Sequence, residues 1–568
     1  MDTRKQPWAA HYPSSVPASL SLEEYTSLTH MLQSCCKRYG DKPMLENMGK
    51  VLTYREVNDL SEQMAAYLQR HTRLQAGDRV AIQLPNLLQY PVALFGILKA
   101  GMVVVNVNPL YTPYETLEQL NDAQAKGMIV LENFAHNLAK IESQTSLHTI
   151  LVTGIGDLLG MVKRCVVHFI IRHVKRAVPP HRLINAFPFA QALKIGAGTP
   201  SFSPASPRSF DIAFLQYTGG TTGTSKGAVL THANVLANIT QMRVCMQAKL
   251  SVGDEVAITP LPLYHIFSLV VNLLTMIQLG AKNVLITNPR DLPAFIKELK
   301  RHPFTFITGV NTLFRALLAN ASFRMLDFSR LKVAVAGGVA LQEQTAKDWE
   351  KATGVPLVEG YGLTEASPVV ASNMVDGTHR LGTVGIPVPH TLVKIVDAQG
   401  KCVAAGTPGE LLVQGPQVMQ SYWNKPDETL QVLKDGWLHT GDMATMSAAG
   451  FVSIVDRKKE MINVSGFNVY PSEIEKVLAR HPAIAEVSAL GVVDSEGRES
   501  VRVYVVRKDD ALSAEAVIAH CREHLTKYKV PKQVVFKREL PKSAVGKVLK
   551  RVLAEEERSL PPSSTTTG

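Results

Sequence analysis

Residues 217–228 read Tyr-Thr-Gly-Gly-Thr-Thr-Gly-Thr-Ser-Lys-Gly-Ala. Glycine admits positive φ and lets a backbone come close to a ligand. Hydroxyls and free backbone N–H groups donate to phosphate oxygens, and the ammonium of Lys226 adds a point charge. Together these residues can grip a polyphosphate. The order differs from the GTPase phosphate loop, which needs Gly-Lys-Ser/Thr. Here Ser225 precedes the lysine and Gly227 follows it. A solvated surface loop rich in glycine, threonine and serine would share the composition.

Such a loop needs elements to hold it. Apolar residues 212–215 precede it as a strand and residues 231–238 follow it as a helix, so the expectation is a strand–loop–helix turn. Upstream, 80–84, 103–107 and 128–131 read as strands, with helices over 87–100 and 114–125. Downstream, strands at 284–286, 304–308 and 331–336 alternate with helices at 292–300, 312–319 and 342–352. This alternation predicts parallel βαβ units with right-handed crossovers. From about Leu392 shorter, glycine-punctuated strands (392–396, 409–413, 450–455) suggest a β-rich subdomain. The charged run 456–460 reads as a boundary, followed by an α+β unit with strands at 487–492 and 501–506 and helices at 473–479 and 514–525. The fold class is α/β: a large N-terminal domain of two βαβ-layered subdomains plus a small β-subdomain, then a small mobile α+β C-terminal domain. The boundaries are 1–455, a hinge at 456–459, 460–555, and a disordered tail at 556–568.

Residues 154–207 break the rhythm. The part from 161 to 176 is both basic and apolar; on a helix Val167, Ile170, Ile171 and Val174 share a face, with Lys163, Arg164, Arg172, Lys175 and Arg176 around them. That suits a helix lying on an anionic membrane, and equally a packed surface helix with snorkelling cations. Residues 179–207 read as a loop.

The chain has 568 residues, 46% hydrophobic and 19% charged, which is an ordinary globular composition with room for several domains. Its six cysteines have no metal-ligand spacing, which points to reduced thiols. The first residues lack the apolar core of a secretory signal, and no stretch is apolar for the roughly 18 residues a membrane span needs. The expected location is cytoplasmic. The net charge of +11 fits a membrane surface or acidic small molecules. No aromatic–basic pattern speaks for nucleic acid.

Five further segments recur with the phosphate stretch in one order: Tyr361-Gly362-Leu363-Thr364-Glu365, Thr440-Gly441-Asp442, Asp456-Arg457-Lys458-Lys459, Val464-Ser465-Gly466-Phe467-Asn468-Val469-Tyr470-Pro471 and Pro541-Lys542-Ser543-Ala544-Val545-Gly546-Lys547. Together they resemble the acyl-adenylate-forming (AMP-binding) superfamily, the acetyl-CoA synthetase/luciferase-like enzymes, and most closely bacterial long-chain fatty-acyl-CoA ligases. The resemblance runs from about Ser21 to Ala554. It implies an ATP-dependent, AMP-forming acid–thiol ligase: a fatty acid carboxylate attacks the α-phosphate of ATP, and the thiol of CoA then displaces AMP. The C-terminal domain would rotate between the two half-reactions.

Carried onto this chain, the resemblance gives Thr218, Gly219, Gly220, Thr221, Thr222, Gly223 and Lys226 to the β- and γ-phosphates, with Tyr217 counted among the nucleotide-binding residues. Thr364 would contact the α-phosphate and Glu365 would bind Mg²⁺, a hard cation that prefers oxygen. Tyr361 would stack on adenine, with Gly338, Val339 and Gly360 lining that pocket and Gly362 also among the nucleotide-binding residues. Asp442 would accept from the ribose hydroxyls, assisted by Arg457. Lys547 is implied as the catalytic lysine of the first step, Lys459 as the hinge, and Gly466 as part of the pantetheine channel. His265 matches a position beside the acyl carboxylate, or is a satisfied core histidine; Phe267, Val310, Phe314 and Leu317 are candidate walls for the acyl chain. The implied partners are fatty acid, ATP and CoA; peripheral contact with the inner membrane surface and a homodimer are compatible with the same reading. Two alternatives stand beside it: another acid-activating enzyme (for medium-chain or aryl acids, or feeding a carrier protein), and a non-catalytic lipid-binding or uptake protein.

Overall fold

The computed structural model describes residues 6–17, 20–184, 186–199, 203–218, 225–464, 467–493, 499–543 and 546–558. The described residues of Met1–Gly219, Ser225–Leu392 and Gln414–Gly436 form one compact unit, and those of Val393–Val413 and Trp437–Gly568 form a second.

The first unit is built on two sheets. One has eight strands, in the order Ser421–Tyr422, Lys226–Thr231, Ile212–Thr218, Val103–Asn106, Arg79–Gln83, Ala125–Leu131, Thr149–Thr153 and Ala186–Pro188. From Ile212–Thr218 to Ala186–Pro188 every neighbour is parallel. The central strands are buried along their length, as apolar runs covered on both faces must be. Helices Gln89–Lys99 and Pro113–Asp122 cross between strands where the periodicity placed them. The second of these starts on a capping box, Thr112 with Glu115, and has proline in its first turn.

The other sheet has nine strands, in the order Ile386–Pro387, Val369–Ser372, Leu357–Gly362, Val333–Ala336, Phe306–Gly309, Val256–Thr259, Lys282–Leu285, Pro43–Asn47 and Lys50–Thr53. Its core packs Phe314, Phe323 and Trp349 against the strands. The hairpin Pro43–Lys50–Thr53 went unread in the sequence, because its partner strand Lys282–Leu285 lies far along the chain.

Three expectations are corrected. Lys226 does not close a loop onto a helix; it opens the strand Lys226–Thr231, antiparallel to Ile212–Thr218, and only then does helix His232–Met246 begin, capped by Thr231. The small and apolar residues Gly227, Ala228, Val229 and Leu230 suit a strand buried along its length. Residues 179–207 are not all loop: Ala186–Pro188 adds an edge strand, and helix Phe189–Ala197 packs on helix Tyr54–Arg70. A Cβ on Gly196 would stand 1.8 Å from the Gln63 carbonyl oxygen, so glycine alone permits that crossing. The segment from 161 is helical, Met161–Phe169 continuing as a π turn over Ile170–Val174. Its expected apolar face is split, however: Val167 and Ile171 are half-buried, while Ile170 and Val174 are exposed. Ion pairs from Arg164 to Asp157 and from Arg172 to Glu132, with His168 packed 3.5 Å from the Asp157 carboxylate, set the helix rotation instead.

The second unit begins with the β-rich part: Gly409–Gln414, Trp437–Met446 and Val452–Arg457 pair antiparallel, with Leu392–Val396 beside the first. The remainder is a three-stranded sheet of Ile484–Val493, Glu499–Arg507 and Gln533–Lys537, with helices Pro471–Leu478 and Ala514–His524 against it. The last helix, Lys550–Arg558, includes residues assigned to the tail; 559–568 lie outside the described residues. Among the described residues no helix is long and apolar enough to cross a membrane.

Candidate functional site

In the first unit the phosphate stretch is a hairpin mouth. Thr218 pairs with Lys226 and Tyr217 with Gly227, and the Ser225 hydroxyl donates to the Thr218 carbonyl at 2.7 Å, fastening the neck. Gly219, Gly220, Thr221, Thr222 and Gly223 lie outside the described residues. The Tyr217 side chain turns into the core: its hydroxyl donates to Asp122 Oδ2 at 2.6 Å, and its ring covers Gly227, where a Cβ would stand 3.0 Å away. Burial and the Asp122 carboxylate push its pKa up. Only its backbone adjoins the loop, so it serves as scaffold.

Lys226 places its ammonium 5.3 Å from the ring centre of Tyr422, and the Tyr422 hydroxyl donates to Glu365 Oε1 at 2.6 Å. Burial, then the Glu365 carboxylate, raise the tyrosine's pKa, so it remains a donor. Met419 N–H donates to the Glu365 carbonyl at 2.7 Å. Glu365 sits with Thr364 on a single 3-10 turn, Thr364–Ala366, directly after strand Leu357–Gly362. Hydrogen bonding from Tyr422 leaves Glu365 Oε2 without a hydrogen-bond partner among the described residues. One oriented carboxylate with an open oxygen fits a hard cation that keeps several waters. Tyr422 and its short strand were missed in the sequence. The aromatic pair Tyr422-Trp423 was a local signal, but nothing nearby connects it to Glu365.

Gly338 and Val339 follow strand Val333–Ala336, and Gly360, Tyr361 and Gly362 end the adjacent parallel strand. Ligands of open α/β sheets bind at such carboxyl ends. Gly338 has φ +80° and is exposed; a Cβ on Gly362 would stand 2.1 Å from the Pro368 carbonyl oxygen, so glycine is needed for that approach.

His265 lies on a pinned loop. Asn86 bonds Thr259, Leu261 and Leu263, Tyr90 donates to the Leu263 carbonyl, and Gln216 donates to the Tyr264 carbonyl at 2.9 Å. Burial pushes the imidazole down to about 4, so it is neutral at physiological pH. Its Nδ1 accepts from Phe267 N–H at 3.3 Å, which assigns the proton to Nε2 as a donor. Phe267 packs on Gly337 and Val310 lies near Gly338. Phe314 and Leu317 are fully buried in the core with Trp349, so they are core residues rather than tunnel walls.

In the second unit, Asp442 and Arg457 face each other in register across two strands, with Arg457 Nε 3.2 Å from Asp442 Oδ1. Thr440 accepts from Asp442 N–H and donates to the Leu411 carbonyl at 2.7 Å, setting the turn that Gly441 makes with φ +69°. The Lys547 ammonium is surrounded by Arg457, Glu460, Asp442 and Lys550. Burial, then Arg457, push its pKa down to about 8, against Glu460 and Asp442. Its backbone is held in a tight turn: Lys547 N–H bonds the Ser543 hydroxyl at 3.1 Å, and Ser543 N–H bonds the Lys547 carbonyl at 2.8 Å. Lys459 lies in the 3-10 turn Lys458–Glu460, where Lys458 pairs with Glu410 at 2.8 Å. Gly466 lies outside the described residues.

The AMP-binding enzyme family matches residues 32–423, and the AMP-binding enzyme C-terminal domain matches 473–547. A long-chain-fatty-acid–CoA ligase of Salmonella typhimurium is 52% identical over 554 residues, covering 98% of this chain and 99% of that protein. The protein of the same name in Bacillus subtilis is 39% identical over 97% of this chain and 98% of its own length. Among solved structures, the anthranilate CoA ligase AuaEII in complex with anthranoyl-AMP matches with TM-score 0.83 and 25% identity over 95% of this chain and 99% of its own. ATP-bound MatB from Rhodopseudomonas palustris matches with TM-score 0.79 and 26% identity over 94% and 99%. With its hairpin mouth, its Glu365 turn and its Asp442–Arg457 pair in the order the motifs require, the chain belongs to the AMP-binding enzyme family.

Proposed function

We infer that this chain is an ATP-dependent long-chain fatty acid–CoA ligase, forming acyl-CoA, AMP and pyrophosphate through an acyl-adenylate. The observation that carries the chemistry is the Glu365 carboxylate, held by Tyr422 beside the Lys226 ammonium at the neck of the phosphate hairpin. The acid specificity is supported by relatives of that name about half identical over nearly the whole chain.

In the first step a carboxylate oxygen bonds to the α-phosphorus and the bond to the β-phosphate bridging oxygen breaks, releasing pyrophosphate. Lys226 and the hairpin N–H groups offset the β- and γ-phosphate charge, and Thr364 meets the α-phosphate. Mg²⁺, held by Glu365, would supply further charge neutralisation. The Nε2–H of His265 donates to the acyl carboxylate and orients it. Asp442 accepts from the ribose hydroxyls, with Arg457 holding its other side, and Tyr361 stacks on adenine between Gly338, Val339 and Gly360. Lys547 stabilises charge on the carboxylate and α-phosphate in the transition state. In the second step the CoA sulfur attacks the acyl carbonyl carbon, its proton is lost to solvent, and AMP leaves. Lys459 is the hinge between the two steps, with Gly466 beside the pantetheine in the second. The enzyme works on the cytoplasmic side and meets the membrane peripherally.

The test is pyrophosphate release from the purified chain across acids from acetate to oleate, with and without CoA. Long-chain acids should be preferred and AMP should appear in step with them. A preference for aryl or medium-chain acids would move the chain to another ligase of the family, and no AMP formation with any acid would overturn the reading.

A further inference from the structure

Most surface helices turn their apolar residues inward. In the helix formed by Met161–Phe169 and Ile170–Val174 only Val167 and Ile171 are half-buried, and most of the apolar residues face out. Arg164, His168 and Arg172, spaced four apart on one face, point at the protein: Arg164 reaches Asp157 at 3.4 Å, His168 the same carboxylate at 3.5 Å, and Arg172 Nε reaches Glu132 at 3.2 Å. The docking is close. A Cβ on Gly154 would stand 2.4 Å from His168 Nε2, and one on Gly156 would meet the Arg164 backbone at 3.1 Å. Met161, Val162, Val166, Phe169, Ile170 and Val174 are all left exposed, Met161 by 83% and Phe169 by 60%, and no residue of the helix is buried. An ordered helix whose arginines are paired inward while six apolar side chains stay exposed has a surface made to be covered by something else.

The charge pattern says what. From residue 158 to residue 210 the chain carries eight lysines and arginines and no aspartate or glutamate. Lys175 and Arg176 are exposed at the end of the helix, and Ile184 is exposed just beyond. An apolar stripe flanked by cations alone matches the boundary of an anionic bilayer, where acyl chains take the apolar side chains and headgroup phosphates take the cations.

We propose that the outward face of helix 161–174, with Phe169 at its centre and Lys175 and Arg176 at its rim, is the surface by which this protein docks on anionic lipid bilayers. This deepens the membrane part of the proposed function and names its contact; it does not depend on the catalytic part. The test is flotation of the full chain, without ATP, acid or CoA, on vesicles of phosphatidylcholine with and without phosphatidylglycerol. Wild-type protein should float with the anionic vesicles. Phe169→Glu should lower its partition at least about tenfold, as expected when one aromatic side chain no longer enters the apolar layer. Lys175→Glu with Arg176→Glu should remove the preference for phosphatidylglycerol, at about fivefold per charge. Pyrophosphate exchange with a soluble acid reports that both variants are folded. Unchanged flotation of Phe169→Glu would overturn the proposal. So would sedimentation showing that Phe169→Glu only splits a dimer while vesicle binding persists, since the face would then belong to a second copy of the chain.

Discussion

Lys547 offers the sharpest test of the chemistry. Its ammonium sits partly buried beside the Arg457 guanidinium, with a pKa of about 8. The charged fraction is then about nine-tenths at pH 7 and about one-tenth at pH 9, from the ordinary titration relation. If that charge stabilises the first transition state, ATP–pyrophosphate exchange driven by a fatty acid should fall about tenfold between these two pH values. The assay contains no CoA, so the CoA thiol contributes nothing to the profile. Lys547→Arg keeps a cation that does not titrate in this range, so its exchange should be slower but level through pH 9. Lys547→Ala should lose about 10²–10³-fold in exchange, while converting supplied acyl-AMP and CoA to acyl-CoA at close to the wild-type rate. A wild-type profile that stays flat or climbs to pH 9 would refute the link between this ammonium and the first step. Equal loss of both half-reactions in Lys547→Ala would refute the role itself.

Tyr422→Phe removes the hydroxyl on Glu365 but keeps the ring under Lys226; the Mg²⁺ needed for half-maximal exchange should rise about tenfold or more, as for other groups that orient a metal ligand, and direct Mg²⁺-nucleotide binding by calorimetry should weaken in parallel. Asp442→Asn leaves the strand pairing but gives up the acceptor-only carboxylate, so the KM for ATP should rise about tenfold with little change in the melting curve. Gly196→Ala forces a Cβ to 1.8 Å from the Gln63 carbonyl; the helix must shift, and the melting temperature of the first unit should drop by several degrees with an intact nucleotide site. His265, at a pKa of about 4, should add no step to the pH profile between 5 and 8; an inflection there that disappears in His265→Gln would show that its charge, not its Nε2–H, is used.

The sequence was most legible where function is local. The phosphate stretch, the Thr364–Glu365 turn and the Lys547 turn are each short continuous segments, so residue type and order could single them out, whereas Asp442 and Arg457 sit on separate strands and meet through their pairing. Most central parallel strands were also plain, since burial on both faces writes a continuous apolar run into each, but Thr149–Thr153, Val256–Thr259 and Leu357–Gly362 went unread. What remained hidden depends on pairs distant in sequence. Tyr422 meets Glu365 only because Ser421–Tyr422 pairs with Lys226–Thr231. The direction in which helix 161–174 faces is set by Asp157 and Glu132, which precede it, and its own periodicity suggested a different face. Phe267 and Phe314 look alike as letters, yet one lies against Gly337 and the other against Trp349.

The route of the chain through the first unit constrains how this protein can be made. That unit is assembled from stretches interrupted after Leu392 and completed only by Gln414–Gly436. Those late residues supply the carbonyls of Pro416 and Val418 to Asn234, the edge strand at Ser421–Tyr422 and the hydroxyl that holds Glu365. During synthesis the phosphate-binding part of the site therefore cannot mature until Tyr422 has cleared the ribosome, and a fragment ending at Leu392 would lack the edge strand and the hydroxyl on Glu365. An excised adenylation module of this protein has to retain residues 393–413 as an obligatory detour.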